Sequence, residues 1–282
     1  MDPDPNGKAT DYSATIWWGD GTSSAGTIKP GSGGFEVHAA HTFANPGPYT
    51  FTVSIHDEGG SSVGAGAHAT VVYPPELPFI AQLYRDLLHR EADLAGLWYW
   101  DALLTHGSSR TQVVQSIQSS PEYAGARVQD LYQHYLHRTA DARGLAAFSS
   151  FLQSGGSVTQ VAVALAGSAE YFQIRGGASA DGFLQALFVD ALDRSIEPAA
   201  LGVWKQALAA GLSRGQIAAG VLDSGESLQR LGQTFYQQFL HRLDNADDLN
   251  ALVGVLRRRD GPERIVAALL ASDEYFALSY RR

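Results

Sequence analysis

Two hydrophobic rhythms divide this chain. Up to Tyr73 apolar and polar positions alternate: Tyr12-Ser13-Ala14-Thr15-Ile16-Trp17-Trp18, Phe35-Glu36-Val37-His38, Tyr49-Thr50-Phe51-Thr52-Val53-Ser54-Ile55 and Ala69-Thr70-Val71-Val72-Tyr73. Gly19-Asp20-Gly21, Pro30-Gly31, Asn45-Pro46-Gly47 and Gly59-Gly60 punctuate them. A period of two bounded by turn formers predicts short antiparallel strands forming a β-sandwich over residues 1–73. From Phe79 the period lengthens. Phe79, Ile80, Leu83, Tyr84, Leu87 and Leu88 share one side of a helix, and helical spacing persists to the C-terminus. Between the two regimes, the prolines of residues 74–78 predict a stiff, extended linker. The predicted fold class is multidomain, all-β followed by all-α.

Within the helical part a frame recurs four times. Counting from Arg90, Arg138, Arg194 and Arg242, a glutamate follows 32 residues later in each copy, at Glu122, Glu170, Glu226 and Glu274. A fixed period of this kind marks a repeat architecture, in which one copy cannot bury its apolar face alone. Asp93, Asp141, Glu197 and Asn245 stand where a second helix should be capped, and Pro198 fits a first helical position. The inward face of that helix reads Leu97, Trp100 and Leu104, then Leu145, Phe148 and Leu152, then Leu201, Trp204 and Leu208, then Leu249, Leu252 and Leu256. A third helix follows, carrying Val113, Val114 and Ile117 in the first copy and Val158, Val161 and Leu165 in the second. Ser120, Ser168, Ser224 and Ser272 lie two residues before the glutamates and should cap a closing helix, with the acid in its first turn.

The distance from each glutamate to the next arginine is 16 residues at the first and third junctions and 24 at the second. The extra residues surround Gly176-Gly177 and predict a flexible loop over 176–182. Four helical repeats arranged as two pairs are therefore expected, over 79–175 and 183–282. The recurring Arg and Glu are read as a tether between the start and end of each repeat. The functional alternative is a repeated anion or sugar site, but four copies of one pair suit a fold determinant better than one active site.

Charge narrows the function classes. The net charge is −9; residues 1–73 hold seven acids and two bases, the remainder twenty-two acids and eighteen bases. That distribution lacks the concentrated basic face of a nucleic-acid binder. Zero cysteines remove disulfides, thiol nucleophiles and Cys-based zinc sites. No apolar run reaches the roughly 18 residues of a membrane span, and Met1-Asp2-Pro3-Asp4 lacks a signal-peptide start. The chain is thus expected to be intracellular or a piece of a longer exported protein. No Gly-rich phosphate loop, HExxH or GxSxG elbow occurs, and the chain is read as non-enzymatic, with no cofactor or metal. His89, His137 and His241 occupy equivalent places in separate copies and are read as helix-end residues. Asp20, Asp57 and Glu58 are read as turn-capping acids in preference to a calcium cluster, and Asp247-Asp248 as solvated.

Two resemblances add to this. Trp18-Gly19-Asp20-Gly21, His41-Thr42-Phe43 and Asn45-Pro46-Gly47 leading into the Tyr49 strand and Asp57 resemble a PKD (polycystic kidney disease) domain. The resemblance implies an immunoglobulin-like extracellular module that spaces or presents its neighbours. Members have an additional strand before the position of Asp2-Pro3-Asp4, so the first strand is expected to be missing. The helical part resembles the bacterial domain of unknown function 4214, through Leu83-Tyr84-Arg85, Arg90, Asp93, Gly96-Leu97, Tyr99-Trp100 and Ser120 to Tyr123. That family's glycine before the Arg is His89, His137, Asp193 or His241 here, which implies an altered turn. It implies helical modules in large secreted or surface-attached bacterial proteins and supplies no catalytic residues.

Function is expected where the copies differ, at Trp98 and in the loop from Gly176 to Gly182. Trp98, with Tyr99 beside it, projects away from the inward face, while its counterparts are Ala146, Gly202 and Asn250. Trp17 points away from Ile16 and Trp18. Each aromatic admits a contact with a neighbouring domain or a platform for sugar stacking. The chain is expected to be a module of a bacterial surface or matrix protein, located outside the cell. Its partners would be a cell-surface glycan or surface-layer component and other domains of a larger parent. The alternative is the accessory region of a larger secreted hydrolase.

Overall fold

The structure is a computed structural model describing residues 8–31, 34–43, 47–71, 74–244, 246–258 and 260–280. The expected missing strand before Asp4, the Asn45-Pro46 turn, Val72-Tyr73 and the Asn245 cap lie outside the described residues, as do the side chains of Asp247 and Asp248. The chain forms two compact units, residues 1–74 and 75–282.

In the first unit, a 3-10 turn (Ala9–Asp11) precedes β1 (Tyr12–Trp17), β2 (Ser23–Gly31), β3 (Gly34–His38), β4 (Gly47–Asp57) and β5 (Ser62–Val71). They make one curled antiparallel sheet in the order β3-β2-β1-β4-β5. Among the described residues of this unit, Ala14 and Ile16 on central β1 are buried. Strand β2 lacks the expected alternation of large apolar residues. Gly26 permits it, since a Cβ there would lie 2.4 Å from Val37 Cγ1. Pro30 is tolerated because β2 pairs with β1 only through Ser23 to Gly26, leaving a free edge beside Pro30.

The second unit is helical. Repeat 1 comprises α1 (Glu76–Leu88), α2 (Leu94–Thr105) and α3 (Arg110–Gln118). Helix α4 (Pro121–Leu136) closes repeat 1 and opens repeat 2, which continues through α5 (Ala142–Gln153), α6 (Val158–Ala166) and α7 (Ala169–Ile174). Repeat 3 has α8 (Ala180–Leu192), α9 (Pro198–Ala209) and α10 (Arg214–Leu222). Helix α11 (Gly225–Phe235), prolonged by a π-helical turn (Tyr236–Leu240), leads into repeat 4 with α12 (Ala246–Leu256), α13 (Gly261–Leu270) and α14 (Asp273–Ser279). Among the described residues no helix is long and apolar enough to cross a membrane.

Two connectors differ from expectation. Residues 76–78 are the first turn of α1, because the amides that proline lacks are unbonded in a first turn anyway. Residues 180–182 are the first turn of α8, capped by Ser179, whose Oγ accepts from the Gly182 amide at 3.1 Å. Only Gly176, Gly177 and Ala178 remain as a tight reversal, with φ of 55° at Gly177 and 56° at Ala178. The 16-residue spacings are thus spanned by continuous helical segments, and the 24-residue spacing by a break between α7 and α8.

The array also closes on itself. Repeat 4 meets repeat 1: the Tyr275 hydroxyl donates to Asp86 at 2.7 Å, and Arg110 donates to the Ser272 carbonyl at 3.1 Å and to Asp273. The Gln118 amide donates to the Glu263 carbonyl at 3.0 Å. Helices α3 and α13 pack together as α6 and α10 do. Each terminal repeat thus packs against the other.

Candidate functional site

The arginine frame is built the same way four times. Each guanidinium donates from Nε and Nη2 to both oxygens of the glutamate 32 residues on, the Nη2 distance being 3.0, 2.8, 2.8 and 3.0 Å along the chain. Nη1 turns to a carbonyl of the adjoining segment, at Glu91, Thr139 and Ser195, at 3.0, 2.8 and 3.2 Å. Beneath each guanidinium lies an aromatic ring six residues upstream: Tyr84, Tyr132, Phe188 or Tyr236, at 4.9, 5.0, 5.5 and 5.0 Å. Hydrogen bonding by the arginine holds Glu122, Glu170, Glu226 and Glu274 below the usual carboxylate range. These arginine side chains are 36–43% exposed. Their donors and one ring-facing side are committed to the protein, so the frame joins each opening helix to its closing helix.

The turn that carries these arginines has the same backbone conformation in all four copies. His89, His137, Asp193 and His241 hold the left-handed conformation, with φ of 55°, 50°, 54° and 53°. Glycine takes that conformation without strain; here four residues with side chains accept it. His89 Nε2 lies 3.0 Å from both Asp130 oxygens. The three histidines sit at separate helix ends, and among the described residues no three His, Asp or Glu side chains converge as a metal-ligand set. The expected serine caps are in place, Ser120, Ser168 and Ser272 accepting from the amides of Tyr123, Tyr171 and Tyr275, and Ser224 from that of Ser227. Asp93 and Asp141 cap α2 and α5 through the Gly96 and Gly144 amides. Glu197 makes no side-chain cap.

On the sheet, the Asp20 carboxylate is held within the turn. Oδ1 accepts from the Thr22 amide at 3.0 Å and hydroxyl at 2.6 Å, and Oδ2 meets His41 Nε2 at 2.7 Å. Hydrogen bonds from Thr22 and then His41 hold its pKa down to about 2. His41 stacks on Trp18 at 4.7 Å, and the Trp18 indole donates to Ser24 at 3.0 Å. Trp17 lies on the other face of β1, 46% exposed.

The remaining surface of interest is the outer side of α2. Trp98 is 47% exposed and Tyr99 59%, and Leu94, one turn before Trp98, is 63% exposed. Ala95 and Ala102 complete an exposed apolar face. Ala146, Gly202 and Asn250 are exposed at the positions matching Trp98. Leu94 escaped the sequence reading, although comparing it with Ala142 and Pro198 at the same offset marks it as the largest of the three. Two open clefts lie elsewhere in this unit. One, of about 410 Å³, is lined by Glu76, Leu104, Ser109, Arg110 and Phe276; the other, of about 500 Å³, by Arg85, His89, Arg90 and Glu91. Neither includes Trp98.

These features define a two-unit protein: an antiparallel sheet followed by a closed array of four helical repeats, with an exposed Trp98-Tyr99 pair on the first repeat's second helix. Residues 74–127 and 126–175 each match the family described as Domain of unknown function (DUF4214), one match to each of the first two repeats. No curated protein and no solved structure matches the chain.

Proposed function

We propose that this chain is a non-enzymatic module of an exported bacterial surface or matrix protein, and that it attaches to cell-surface polysaccharide through the outer face of α2. The observation that carries the reading is the exposed aromatic pair Trp98 and Tyr99, flanked by Leu94, where the other repeats present Ala146, Gly202 and Asn250 at the position of Trp98. Flat apolar rings in water suit the apolar faces of sugar rings. The sheet would act as a spacer of the polycystic kidney disease type with an immunoglobulin-like fold. That part is supported by the Trp18-His41 stack and the Asp20 turn, which join the motifs of the resemblance.

Titration with soluble polysaccharides should quench tryptophan fluorescence, and Trp98→Ala should abolish the response while Trp17→Ala leaves it. A chain that binds no glycan on an array and shows no quenching would set this reading aside.

A further inference from the structure

Repeats 1 and 2 reappear as repeats 3 and 4 under one constant displacement, 104 residues, which carries Arg90 to Arg194 and Arg138 to Arg242. The same displacement relates two interfaces. Where repeat 2 meets repeat 3, the Tyr171 hydroxyl donates to Asp190 at 2.7 Å; where repeat 4 meets repeat 1, that of Tyr275 donates to Asp86 at 2.7 Å. Tyr171 meets Phe183 edge-on at 6.0 Å and 90°, and Tyr275 meets Phe79 at 6.0 Å and 81°. Arg214 lies 4.6 Å over Phe172, and Arg110 lies 4.6 Å over Phe276. One interface is spanned by the short Gly176 to Ala178 reversal. The other forms between the two ends of the helical unit, so this surface does not depend on a covalent link.

We propose that the pair of repeats is the assembly unit, and that the surface joining the two pairs also accepts the complementary pair from a second copy of this chain. Repeats 1 and 2 carry both sides of the contact, with Phe79, Asp86 and Arg110 on one and Tyr171 and Phe172 on the other. Repeats 3 and 4 carry the equivalent set. Inside each pair the repeats share a continuous helical segment and have no hinge. Between pairs, the reversal at Gly176 and Gly177 folds one pair back onto the other. That short tether sets a high effective concentration, so closure within one chain wins while the reversal is intact. A chain that cannot fold back leaves two complementary surfaces open, which is the condition for a swapped dimer.

The test uses the full chain with residues 176–178 deleted. Light scattering should give about twice the 30.2 kDa of the native chain, with unchanged helical circular dichroism. A deletion variant that folds and remains monomeric overturns the proposal. If it does not fold, a protease site placed in the reversal of the intact chain decides. Tagged and untagged chains, cleaved and refolded together, should form mixed assemblies in which a tagged first pair holds an untagged second pair. Halves that separate on cleavage and do not reassociate overturn it equally.

Discussion

At Gly144 a Cβ would lie 2.1 Å from the Tyr132 hydroxyl, and at Gly96 2.5 Å from that of Tyr84. In repeat 3 the equivalent pair is Ala200 and Phe188. The methyl is thus present in repeat 3 where the hydroxyl is missing, and glycine stands beside the hydroxyl in repeats 1 and 2; repeat 4 departs from this pattern, with Asp248 and Tyr236 at the two offsets. Repeat 2 offers the cleaner experiment, because in repeat 1 the Tyr84 hydroxyl also accepts from the Trp100 indole at 3.0 Å, whereas Phe148 takes the place of Trp100 in repeat 2. Gly144→Ala should destabilise the unit by about 1–3 kcal/mol through overpacking. Adding Tyr132→Phe should recover at least half of that loss in chemical denaturation. Additive effects would show that hydroxyl and methyl do not compete.

At the scale of elements, the arginine frame should behave as an ion pair of modest strength supported by packing. Arg138 meets Glu170, the Thr139 carbonyl and the Tyr132 ring. An exposed pair contributes only ~0.2–1 kcal/mol, and a guanidinium over a ring about 0.5–1 kcal/mol more. Arg138→Ala should therefore lower the melting temperature by about 3–6 °C at neutral pH. The pH dependence separates the two contributions. Glu170 is held below its ordinary pKa of 4.5 chiefly by Arg138, so the pair stabilises fully above that value and weakens as acid protonates the carboxylate. The gap between native and variant melting temperatures should narrow from pH 7 to pH 3. A constant gap would assign the whole effect to packing.

Much at this scale is legible in the chain itself. Serine caps, the Arg-to-Glu spacing and the inward Leu, Trp and Phe positions are local patterns repeated four times, and repetition reveals them even where one copy is ambiguous. The ring under each arginine was equally available, six residues upstream in every copy, but needs the helix geometry to gain meaning. Strands β2 and β5 hide because Ser, Ala and Gly fill most of their positions, so no large apolar residues mark the alternation of β2, and β5 is exposed from Ser62 to His68. Pro74 to Pro78 misleads in the opposite direction, since prolines that punctuate a linker also fit a helix's first turn. Among the candidate surfaces, Trp98 stands out by difference between copies, while Leu94 waits on seeing which side of α2 is bare.

Closure of the whole array is the feature that local pattern cannot reveal, because Tyr275 and Asp86 belong to opposite ends of the helical unit. It has a measurable consequence. In an open array the first repeat has one neighbour and frays, so a substitution in its opening helix is felt less than one in the middle. In a closed array every repeat has two. Phe79 and Phe183 are equivalent, each fully buried and each packed edge-on against the tyrosine of the preceding closing helix. Phe79→Ala and Phe183→Ala should each cost about 3–5 kcal/mol by emptying a well-packed site, and the two should agree within about 1 kcal/mol because their surroundings match. Denaturant unfolding of both variants, followed by helical circular dichroism, makes the comparison. A mild Phe79→Ala beside a severe Phe183→Ala would mean that the ends separate easily in solution, and that α14 on α1 contributes little to holding the helical unit together.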